Sequence, residues 1–171
     1  MTEVTGDASL KPQARRILRM AEQFVDMARL SNIDSQVNGN PLKHIFAQGA
    51  VLAFGIELML KALHEQTLNK RAHGHDLWKL YKGLPVQVRE ALQAEYVDGA
   101  PEYDRNMDVL LASFEISPPQ MEEMLKGSRD AFSLLRYAHE GKLPEVIGPG
   151  RLMNAIRRYL FKAYPDADWL S

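Results

Sequence analysis

The chain has 171 residues, 46% apolar and 25% charged, with a formal net charge of −1. That length suits a single domain over 1–171 and lets roughly 70% of the unfolded chain's surface be buried. The balance of charge argues against a bulk nucleic-acid binder. The absence of cysteine excludes disulfides and thiolate chemistry, and it suits a reducing cytoplasm.

Taken in chain order, the opening residues show no basic segment followed by an apolar one, so no secretory signal is expected. Helical periodicity begins with "QARRILRMAEQFVDMARLSNI". Its Ile17, Leu18, Met20, Ala21, Phe24, Val25, Ala28 and Leu30 recur at three- and four-residue spacing. Asn, Gly and Pro break the pattern, and Asn40 with Pro41 predicts a cap and first turn. The second helix is predicted to run to about Leu68 and is apolar on most of its circumference between Ala47 and Leu63, as expected of a central helix. Its apolar run "GAVLAFGIELML" is too short to span a bilayer and contains Glu57, so no membrane association is expected. A turn leads to a short helix from about Asp76 to Lys82, ended by Gly83, with Pro85 opening the next, "PVQVREALQAEYVD". "YDRNMDVLLASFEI" predicts another helix. "SPPQMEEMLKGSRDAFSLLRYAHE" predicts a long one, capped by Ser117 and tolerating Gly127. "GPGRLMNAIRRYLFKAY" predicts the last, stopped by Pro165. No alternating strand pattern, repeat or low-complexity tract interrupts this order. The expected fold is all-α, an up-and-down bundle built on two long antiparallel helices with short helices inserted.

Charge is unevenly spread. Lys11, Arg15, Arg16 and Arg19 lie in one acid-free run, and Arg151, Arg157, Arg158 and Lys162 in another. The segment from Glu90 to Glu123 holds nine acids against Arg105 alone. Such a layout produces either a dipolar surface that attracts polyanions or a set of solvated helix faces, and the near-zero net charge favours the second.

Three places could carry chemistry. In "AHGHD", His73 and His75 flank Gly74. A turn suits neither the strand nor the helix spacing of metal ligands, and no second cluster completes a site, so neither metal nor cofactor is expected. The local role is a turn and helix start, with His75 or Asp76 accepting from the free N–H groups. In the second helix, Glu57 precedes Lys61 by one turn, the favourable order for an ion pair. A carboxylate inside an apolar run needs a partner, which Lys61 or Arg136 could be. The pair reads either as a register-fixing network or as part of a ligand site. In "RDAFSLLRYAHEGK", Arg136, His139 and Glu140 share a helical face beside Tyr137. Arg136 could hold phosphate and His139 act as base, or Arg136 and Glu140 could simply pair. "GPGR" at 148–151 opens a helix whose N–H groups could hold an anion.

Together, "GIELMLKALHEQ", "GHDLWKLYKGL" and "AFSLLRYAHEG" resemble the HEPN superfamily (higher eukaryotes and prokaryotes nucleotide-binding) over residues 41–140, extending to 163. The resemblance implies an all-helical bundle that homodimerises and binds a nucleotide, RNA or a protein partner encoded nearby. Many members are metal-independent ribonucleases of toxin–antitoxin or antiphage systems, with an Arg and a His separated by four to six residues. No Arg–His pair here has that gap, since Arg136 and His139 have two residues between them. The resemblance therefore implies a non-catalytic module, with a divergent ribonuclease using Arg136 and His139 as the alternative and a purely structural assembly protein as a further one. What it carries over is the polar set Glu57, Lys61, His75, Asp76, Arg136, Tyr137 and Glu140.

Overall fold

In a computed structural model, residues 9–37, 45–98, 120–128 and 150–165 are described. They form six helices and no strand: α1 (Pro12–Val37), α2 (Ile45–Leu68), α3 (Leu77–Lys82), α4 (Val86–Val97), α5 (Met121–Gly127) and α6 (Gly150–Ala163). The chain is all-α, as its periodicity predicts. No helix among the described residues is long and apolar enough to cross a membrane.

α1 and α2 form the spine. α1 buries Ala14, Leu18, Ala21, Val25 and Ala28, spaced alternately four and three apart, which is the seam of a helix lying along another. The two run antiparallel. The Lys11 backbone N–H donates to Gln66 Oε1 at 2.8 Å at one end, and Phe24 meets Phe54 edge-on at 4.6 Å farther along. Small residues set their approach. A Cβ on Gly55 would lie 3.2 Å from the Ala21 carbonyl oxygen and 3.3 Å from Val25.

α2 is the central helix. Its Ala53, Ile56, Met59, Leu60, Ala62 and Leu63 are all buried, and all but Ala53 join residues of the other five helices in one core. Each fully buried leucine there contributes about 1.5–3 kcal/mol by removal from water. α4 and α6 pack together, bringing the Arg151 guanidinium over the Tyr96 ring at 4.8 Å and its Nε–H to the Tyr96 carbonyl at 3.0 Å. α3 rests on α5, where Lys126 covers the Trp78 ring.

The expected long helix from Ser117 is different. It begins at Met121, where Gln120 and Glu123 form a capping box, and it ends at Gly127 with Ser128 as C-cap. Glycine weakens a helix interior. Here Gly127 is the last helical residue, and the buried Ser128 (φ −98°, ψ 9°) leaves the helical path with its N–H on the Met124 carbonyl. The expected helix at "YDRNMDVLLASFEI", the cap at Asn40 and Pro41, and Arg136, Tyr137, His139 and Glu140 all lie outside the described residues.

Candidate functional site

The end of α2, the following turn and the start of α3 build one polar corner. Asn69 leaves α2 with φ 52°, a left-handed conformation that asparagine tolerates. Gly74 has φ 89° and supplies the second sharp change of direction. Asp76 then caps α3, its carboxylate accepting from the Lys79 N–H at 2.9 Å.

That turn carries His75 back to α2. Its Nδ1 lies 3.1 and 3.0 Å from the two carboxylate oxygens of Glu57. Lys61 Nζ donates to Glu57 Oε1 at 2.7 Å. The Glu57 side chain is 0% exposed, so these two donors supply what water would have given its charge. A carboxylate only accepts, so the His75 Nδ1 carries the hydrogen in this contact. His75 itself is more than half exposed, and Lys61 emerges at the surface. The structure thus gathers Glu57, Lys61 and His75. Asp76 sits beside them in the chain but is spent on the α3 cap and on Lys79.

His73 points elsewhere. It joins Arg16, Met20, Lys61, Glu65 and Arg71 in lining an open groove of about 370 Å3 between α1, α2 and the turn. On the other side of the same segment, a second groove of about 320 Å3 is lined by His64, Lys70, Arg71, His73 and Lys79. The short stretch Lys70–His73 is therefore a ridge with a cationic hollow on each flank. Three cations against Glu65 make the first groove attractive to an anion, and Lys61 links it to buried Glu57. Among the described residues no group of His, Asp or Glu is gathered so as to hold a metal ion.

His64 is structural. It is buried, its Nε2–H donates to the Leu80 carbonyl at 2.7 Å, and its ring lies where a Cβ on Gly83 would come within 2.8 Å. It ties α2 to α3.

Sequence reasoning missed two features. The grooves are one. Their signal was the basic pair Lys70–Arg71 beside "AHGHD", together with Arg16 on the facing helix. The other is where the basic charge of α6 goes. Arg157 Nε approaches Glu22 Oε1 at 3.2 Å, and Arg158 and Lys162 both hold Glu95. The Arg158 guanidinium also donates to the Glu95 carbonyl at 2.6 Å. These cations are paired with buried acids of α1 and α4, Lys162 reaching Glu95 from the surface. Burial pushes the Glu22 carboxyl up, opposed by the Arg157 charge, and burial pushes Arg157 down. Both directions say that loss of water outweighs the mutual attraction.

No family model, no curated protein and no solved structure matches this chain.

Proposed function

We propose that the chain is a non-catalytic, HEPN-like helical module that acts as a homodimer and binds the phosphates of a nucleotide. The observation that carries the reading is the groove walled by Arg16, Lys61 and Arg71 with His73 at its edge. Its volume of about 370 Å3 lies in the range of small-molecule sites. Two arginines suit phosphate oxygens through paired N–H donors. The buried Glu57 fixes Lys61, and the Gly74 turn fixes the segment carrying Arg71 and His73, so the cations are held in place before a ligand arrives. The sequence also lacks the Arg–His spacing of the ribonucleases it resembles.

Titration calorimetry with ATP, with adenosine and with a short single-stranded RNA tests this. ATP should bind and adenosine should not. The Arg16→Ala/Arg71→Ala double variant should lose at least tenfold in affinity, at about 1.5–3 kcal/mol per charged hydrogen bond. RNA bound far more tightly than ATP would make a polynucleotide the ligand. Absence of binding to both would end the reading.

A further inference from the structure

The outer face of α1 is not what a solvent-facing helix requires. Opposite its buried seam, Met20 is 43% exposed, Met27 52%, Leu30 66% and Val37 80%. Scattered apolar residues on a surface are ordinary. These four fall at intervals of seven, three and seven residues on one face of a 26-residue helix. That is the repeat of a helix made to lie along another helix.

The spacing is self-complementary. In an antiparallel pair whose two-fold axis crosses α1 between residues 28 and 29, position 20 of one copy faces position 37 of the other, and position 27 faces position 30. Met20 then packs on Val37 of the second copy and Met27 on its Leu30, and each contact occurs twice. The polar residues also fit. Asp26 and Arg29 pair within the helix at 3.4 Å, both exposed. In this register Asp26 falls within two residues' rise, about 3 Å, of Arg29 of the second copy on the same flank. The two pairs become an alternating set of four charges. The two remaining layers, position 23 against position 34 and its symmetry mate, are polar by sequence. Such layers cost stability but fix register. A parallel pair would set each Asp26 beside its own copy and each Arg29 likewise, which repels.

We infer that α1 is the homodimer interface, an antiparallel two-helix seam of Met20, Met27, Leu30 and Val37 closed by a second copy of this chain. This rests on the homodimer part of the reading above and names its surface. Met20 and Arg16 also edge the cationic groove, so the C-terminal end of α1 of the second copy would run along that rim.

Light scattering after size exclusion gives the first test, with Met27→Glu/Leu30→Glu beside the unaltered chain. The chain should run at twice its 19.4 kDa and the variant at 19.4 kDa with an unchanged helical spectrum. A monomeric unaltered chain overturns both the homodimer and this surface. A variant that remains dimeric overturns the surface alone. Spin labels decide the register independently of that variant and are simple to place in a chain with no cysteine. Gln23→Cys should report about 15–20 Å between copies and Pro12→Cys about 50 Å, from the rise of 1.5 Å per residue. Two equally short distances would mean a parallel pair and overturn the arrangement.

Discussion

Glu57 is a fully buried carboxylate held between Lys61 and His75. Its side chain has no exposure; Oε1 accepts from Lys61, and His75 lies within 3.1 Å of both oxygens. Lys61→Met should therefore cost about 1–3 kcal/mol in urea unfolding, because a buried carboxylate loses its stronger donor. Adding Glu57→Leu to that variant should recover most of the loss, since the corner then holds no unpaired charge. If the double variant is less stable than Lys61→Met, the network contributes more than mutual neutralisation. How much of this was legible in the sequence differs residue by residue. The contact of Glu57 with Lys61 follows from helical spacing inside an apolar run. Asp76 as a cap follows from its place before α3. The approach of His75 does not follow from spacing, because 18 residues and two left-handed turn residues, Asn69 and Gly74, separate it from Glu57. For the grooves the sequence offers the basic pair Lys70–Arg71 and Arg16 but not their placement in one hollow. Arg16 and Arg71 line one groove only because α1 and α2 run antiparallel in one register.

At the scale of elements, α6 shows how a basic helix can be structural. Periodicity alone gives its apolar face, Leu152, Ala155, Ile156 and Leu160. It does not say that Glu22, 135 residues earlier in the chain, receives Arg157. That choice depends on the mutual rotation of α1 and α6, which no local pattern encodes. The pair is closely placed, yet neither the Arg157 Nε–H nor Glu22 Oε1 finds a well-aligned hydrogen bond. Removing one partner should hurt more than removing both. Arg157→Met is expected to cost about 2–4 kcal/mol at pH 7, and Glu22→Leu/Arg157→Met to stay within about 1 kcal/mol of the unaltered chain. The pH dependence has a definite sign. Burial already raises the Glu22 carboxyl in the folded state, and loss of the Arg157 charge raises it further. A raised folded value means stability that is fully present below the unfolded value and lost as pH rises through the folded one. Arg157→Met should thus regain stability as pH falls from 7 toward 5, measured by urea midpoints. A midpoint independent of pH over that window would mean that Glu22 finds another cation.

For the whole molecule, a net charge of −1 conceals a separation of roles. The basic run of α6 neutralises buried acids; Arg16, Arg71 and Lys61, the last paired with Glu57, line one hollow, and Lys70, Arg71 and Lys79, the last paired with Asp76, line the other. An anion therefore feels a local positive field on a molecule that is almost neutral at long range, where ions of physiological salt screen beyond about 8 Å. This arrangement predicts the form of the salt dependence. A mononucleotide held by two or three groove cations should lose affinity only gently between 50 and 200 mM salt, and addition of inorganic triphosphate should displace it. A single strand of RNA crossing both hollows would engage all five cations and release a counterion at each. Its logarithmic slope against salt would be about −3.5, about −0.7 for each neutralised phosphate. Calorimetry or fluorescence anisotropy at four salt concentrations separates the two. A shallow slope unaffected by Lys70→Ala/Lys79→Ala assigns the ligand to the α1–α2 groove alone, which Arg16 and Arg71 line. A steep slope that falls by about one to two on the same substitutions requires a strand laid across the Lys70–His73 ridge, and it would replace the nucleotide with a polynucleotide as the molecule this fold holds.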